Sequence, residues 1–198
     1  MKITISKENK PSYECMIIAE AALEFALRAE EDWEKKHHYY TGFIFLAFAV
    51  EAMFIFYRKQ VDPQYDTKKD RTRRADFHKE TLRLCSLPNI RGDEHYQIIR
   101  ECLRIRDSIA HGDAYESSFE HSLPHAKDGD ELTREVLGVH SEQFRAITHD
   151  ALAKGIEAAK SIDELICDQG YPLSQEDRDV EFRTHLMQAF GVTGLSTW

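Results

Sequence analysis

The segment GFIFLAFAVEAMFIFY, residues 42 to 57, constrains the fold more than any other stretch of the chain. It is apolar on nearly every side, so a helix formed from it must be surrounded by other elements. A bilayer-spanning helix needs about 20 apolar residues. This run is shorter and carries Glu51, so a central helix of a soluble bundle is expected, with no membrane association.

The covering elements are readable from apolar residues at three- and four-residue spacing. SYECMIIAEAALEFALRAEEDWEKK is expected to be a helix with Ser12 as its N-cap and Glu14 in its positive first turn. The polar break EKKHHYYTG then leads into the apolar helix at 43 to 58. QVDPQYDTKKDRTRRAD has no sustained period and reads as a long loop, and loops of this length within a compact domain are usually functional or disordered. The short helix FHKETLRLCSL ends at Pro88, and the turn PNIRGDE separates it from EHYQIIRECLRIRDSIAH, where Ile98, Cys102, Ile105 and Ile109 recur before the stop at Gly112. Residues 114 to 140 leave room for a short β-hairpin around KDGD. Ser141 is expected to cap a long helix over 142 to 168, ended by Gly170-Tyr171-Pro172. Ser174 and Asp177 resemble a capping box for a last helix carrying Val180, Leu186, Met187 and Phe190. The expectation is an all-α chain with a main helical domain over 1 to 170 and a helical extension over 171 to 198 packed on it. Nine glycines and five prolines in 198 residues agree with helices rather than sheet or disorder.

The net charge of −9 argues against a general nucleic-acid binder, but it is unevenly spread. From Arg58 to Arg83 nine Lys or Arg stand against five Asp or Glu, whereas residues 113 to 198 hold 17 acids and seven bases. Local potential decides where a polyanion sits, so Lys68, Lys69, Arg71, Arg73 and Arg74 are candidate phosphate contacts, with Tyr65 as a stacking platform. A solvated loop is the equal alternative. Four scattered cysteines without a C-x-x-C pair suggest reduced thiols and a cytoplasmic protein. His37-His38 and His121/His125 lack the spacing of paired ligands on one helix face, so no metal and no cofactor are expected.

RIRDSIAHGDAY, residues 104 to 115, is the candidate site. Arg106 and His111 are about 140° apart around a regular helix, so one straight helix cannot bring them together, while Asp107 and His111 share a face. A symmetric partner could supply the missing half, as twofold dimers present the same surface twice. The helix end and Asp107 favour a protonated His111, suited to acid-base work or phosphate contact. The alternative is a charged helix end in which Arg106 pairs with an acid and Gly112 terminates the helix. Glu51 must find a partner too, and an ion pair with Arg100 or Arg106 is as reasonable as a catalytic role.

The string R-D-S-I-A-H-G, together with the glutamate inside FLAFAVEAMF and a long closing helix, resembles the HEPN superfamily over roughly residues 12 to 168. That resemblance implies a bundle of four or five helices, dimeric through the 95 to 111 helix, with metal-independent endoribonuclease activity of toxin or phage-defence type. It gives Arg106 and His111 the two invariant roles and Asp107 the variable polar one. Some members place a tyrosine two residues after the histidine. Here Asp113 stands there, which leaves Tyr115 without a clear role. RNA would be the substrate, and a cognate antitoxin or a nucleotidyltransferase-type protein a further partner. The rival expectations are a non-catalytic HEPN-like binding or regulatory domain, and an immunity or antitoxin-like interaction protein.

Overall fold

The computed structural model describes residues 10–110, 145–172 and 186–191, and all regular structure among them is helical. The helices are α1 (Pro11–Arg28), α2 (Asp32–Val61), α3 (Arg74–Leu84), α4 (Glu94–Ala110) and α5 (His149–Gln169), with a 3-10 turn at Ile90–Gly92 between α3 and α4. The expected hairpin at 114 to 140, the cap at Ser141, and Ser174, Asp177 and Val180 of the expected last helix lie outside the described residues.

α2 is the centre of the bundle, packing against α1, α3, α4 and α5, and its most extensive contact is with α1. Phe43, Leu46, Ala47, Ala49, Val50, Met53, Phe54 and Tyr57 are all buried along it. Two glycines set how closely the helices cross. A Cβ at Gly42 would lie 3.2 Å from both the Ala19 carbonyl and the Ala22 Cβ on α1, and 2.7 Å from the Leu152 side chain on α5. A Cβ at Gly155 would meet Leu46 at 2.6 Å and the Cys102 sulfur at 3.0 Å.

The structure moves several expected boundaries. The polar stretch EKKHHYYTG is no break: α2 runs through it for 30 residues, and the chain turns at Ala29 instead. Glu and Lys are strong helix formers, and Asp32 and Glu34 suit the positive first turn of α2. This also removes length as an argument against membrane crossing, since α2 is long and apolar enough to span. About 44% of its apolar window is buried, and those buried residues pack against α1, α3, α4 and α5.

α1 begins at Pro11 with Lys10 in the cap position, and the expected cap residue Ser12 instead donates its hydroxyl to the Ala189 carbonyl at 2.8 Å. α5 begins at His149, where Thr148 accepts from the Ala151 amide. Leu186, Met187 and Phe190 are not helical. Their segment is held by side chains rather than by a helical ladder: Lys10 donates to the carbonyls of Gln188 and Gly191, and Gln60 exchanges two hydrogen bonds with Met187. Cys167 reaches the Leu186 carbonyl.

α3 closes with the Leu87 amide on the Leu82 carbonyl at 2.8 Å, which places Ser86 at φ 63. That left-handed backbone costs a side-chain-bearing residue about 1 kcal/mol, and the Ser86 hydroxyl is buried with no hydrogen-bond partner among the described residues. Ser86→Gly is therefore expected to raise the melting temperature by roughly 2–4 °C. A melt showing no gain would mean that the hydroxyl or the chain entropy offsets the relieved strain.

Candidate functional site

Arg106 falls on the core-facing stripe of α4, one helical turn beyond Cys102 and Leu103. Glu51 lies where the buried face of α2 meets solvent. Packing α4 on α2 brings the two together, and the Arg106 Nη2 donates to Glu51. Of the two partners expected for Glu51, Arg106 is the one used.

Arg74, the first residue of α3, completes a four-charge cluster with Asp107. Its Nη1 and Nη2 donate to Asp107 Oδ2 and Oδ1 at 2.5 and 2.8 Å, and its Nε faces Glu51 at 3.2 Å. Arg106 Nη1 lies 3.2 Å from Asp107 Oδ1. Two guanidinia that would repel are thus interleaved with two carboxylates, and the formal charge of the four is zero. Hydrogen bonding to Asp107 holds the Arg74 pKa above its ordinary value, with the nearby charges of Asp107 and Glu51 adding to this against the burial that opposes it.

The two arginines are not equivalent. The Arg106 side chain is 14% exposed against 32% for Arg74. The Phe48 ring lies 5.7 Å from the Arg106 guanidinium, and the Arg106 Nε is buried without a hydrogen-bond partner among the described residues. Arg106 is therefore held inside the cluster, and Arg74 closes it from the solvent side.

His111 follows Ala110, the last residue of α4, and lies outside the described residues, as does Tyr115. The remaining basic candidates stay on the loop between α2 and α3. Lys68, Lys69, Arg71 and Arg73 are exposed, Lys69 pairing with Asp66 at 3.5 Å and Arg71 reaching the Asp70 carbonyl at 3.2 Å. The loop is folded on itself, since Asp66 and Asp70 accept from the amides of Lys68 and Thr72. Tyr65 is not the open stacking platform expected. Its ring stacks on Phe77 at 5.6 Å, the Arg58 guanidinium lies 5.4 Å from its centre, and its hydroxyl donates to Asp70 at 2.9 Å. An aromatic ring among bases found intramolecular partners first.

Sequence reasoning placed Arg74 among loop cations and missed its contact with Asp107. The two are 33 residues apart, and no local pattern links them. His37 and His38 lie at the far end of α2, beside an open hollow of about 520 Å³ lined by Phe25, Arg28 and Trp33. No group of three or more His, Cys, Asp or Glu that could hold a metal occurs among the described residues.

No protein-family model, curated protein or solved structure matches this chain.

Proposed function

We propose that the chain is a HEPN-like, metal-independent endoribonuclease of toxin or phage-defence type that acts in the cytoplasm as a homodimer. The observation that carries this reading is the convergence of Glu51, Arg106 and Asp107 at the end of α4 that leads into His111. These are the residues that the R-D-S-I-A-H-G resemblance and the glutamate of the apolar helix single out, and they are partly open to solvent. Ile44 and Phe48 are exposed on the same side of α2, an apolar border that a second copy would cover.

In such a dimer, the 2′-oxygen attacks phosphorus as a base removes its proton, and the bond to the 5′-oxygen breaks as an acid protonates it. A His111 from each protomer fills these two roles. A guanidinium of the cluster stabilises charge on the phosphorane, and the products are a 2′,3′-cyclic phosphate and a 5′-hydroxyl.

A second reading is favoured by a specific observation: both arginines already carry carboxylates, so the four-residue cluster has no net positive charge of its own. That arrangement suits a non-catalytic binding or regulatory module, or an immunity or antitoxin-like interaction protein, in which the cluster only joins α2, α3 and α4. The readings separate when purified protein is incubated with mixed RNA in EDTA. The nuclease yields cyclic-phosphate ends, and His111→Ala lowers the rate at least about 100-fold without changing the melting temperature. Intact RNA, or cleavage that persists in the His111→Ala protein, removes the catalytic reading.

A further inference from the structure

We propose that Arg74 is the arginine that meets a phosphodiester at this site, and that the Asp107 carboxylate occupies the phosphate's place until it arrives. This rests on reading the cluster as a place where RNA binds. The geometry points to Arg74 rather than Arg106. Both terminal nitrogens of Arg74 engage the two oxygens of one carboxylate, at 2.5 and 2.8 Å. This is the same fork that a guanidinium offers to two oxygens of a phosphate. The Asp107 side chain is 34% exposed, so the pair can be reached and opened from solvent, where ion pairs are weak.

Opening it strands neither carboxylate. Asp107 keeps Arg106 Nη1 at 3.2 Å, and Glu51 keeps Arg106 Nη2. Arg106 is thereby a positioning residue that receives the displaced carboxylate. Arg71 and Arg73, exposed on the chain just before Arg74, extend the cationic track along which neighbouring phosphates would lie. Arg74 is thus the junction between the basic loop and the cluster.

The test uses the full chain and a fluorescent single-stranded RNA oligonucleotide that is 2′-O-methylated throughout, so that binding is read without cleavage. Anisotropy titrations over a range of salt concentrations give affinity and salt slope. Arg74→Gln is expected to weaken binding about 10-fold and to reduce the log–log salt slope by about 0.7. Arg74→Lys should recover part of the affinity by keeping the charge without the fork. Asp107→Asn is expected to tighten binding roughly 3-fold, because the competing anion is gone. A merely structural network predicts the reverse for Asp107→Asn. Melting temperatures within a few degrees of the parent would show that the variants fold, since Arg106 still faces Glu51 in each of them.

Arg74→Gln binding within twofold of the parent, Asp107→Asn binding no tighter, or no binding by the parent protein would each overturn the proposal. Its failure is distinguishable from that of the nuclease reading. Unmodified RNA left intact, with the binding pattern as expected, removes cleavage alone. Cleavage dependent on His111, with Arg74→Gln binding unchanged, removes the role of Arg74 alone.

Discussion

Asp163→Ala is expected to lower the unfolding free energy by about 3–5 kcal/mol. Asp163 is fully buried on α5. One carboxylate oxygen accepts from the Tyr57 hydroxyl at 2.6 Å and the Ala189 amide at 2.8 Å, and the other from the Phe190 amide at 2.9 Å. Truncation leaves the buried Ala189 amide and the partly buried Phe190 amide without acceptors, at about 1–3 kcal/mol for a buried group and less for a partly exposed one. Tyr57 retains the Asp163 carbonyl at 3.0 Å, which limits the loss on its side. Asp163→Asn should cost less, because its single oxygen can still serve Tyr57 and Ala189 while its amide faces the Phe190 N–H. Urea unfolding gives the totals. Hydrogen exchange should show the Ala189 and Phe190 amides losing protection before the rest of the bundle in the alanine variant. A loss below about 1 kcal/mol would show that the segment is held by Lys10, Ser12 and Gln60 without the carboxylate.

The second large effect concerns acid. His78 is buried, stacked on Phe54 at 3.7 Å with its Nδ1 3.3 Å from the Tyr96 hydroxyl. Burial, aided by the charges of Arg74 and Arg91, pushes its pKa down to about 3. The unfolded chain therefore takes up a proton at this position between about pH 6.5 and 3 and the folded chain does not. Stability from this source is fully present above that window and is lost as pH falls through it, by roughly 3 kcal/mol at pH 4. Asp163 works in the opposite direction. Desolvation raises its pKa, so its contribution is greatest at low pH and declines as pH rises through the folded value. The difference in unfolding free energy between pH 7 and pH 4 should thus shrink by roughly 3 kcal/mol in His78→Phe, which keeps a flat ring against Phe54. An unchanged pH slope in the variant would sink the assignment.

Much of the fold was legible, for reasons that particular residues make plain. The run from Phe43 to Tyr57 pointed to a surrounded helix, and the spacing of Ile98, Cys102, Ile105 and Ile109 gave the inward side of α4, of which Cys102 and Ile105 are buried while Ile98 and Ile109 sit at its edge beside Ile99 and Leu103. Glu51 was expected to need a partner, with Arg100 and Arg106 as the candidates, because a charge on an apolar stripe must be paired when the stripe is covered; the packing of α4 on α2 selects Arg106. Tyr65 was misread because exposure was inferred from its basic neighbours, whereas Phe77, twelve residues on, supplies a ring to stack against. Ser12 was misread as a cap because its hydroxyl bonds to Ala189, 177 positions away. Asp163 could have been noticed as an acid on the buried stripe of α5, although nothing near it in sequence names Tyr57, Ala189 and Phe190 as its partners.

The sequence by itself determined the helical class, the central position of α2 and the charged end of α4, because periodicity and side-chain type act over a few residues. Only the tertiary structure decided that Arg74 joins Glu51, Arg106 and Asp107, and that Leu186 to Gly191 is tied to Lys10, Ser12, Gln60 and Asp163. Those arrangements depend on which distant groups can satisfy a buried charge or a backbone amide. That depends on the packing of whole helices.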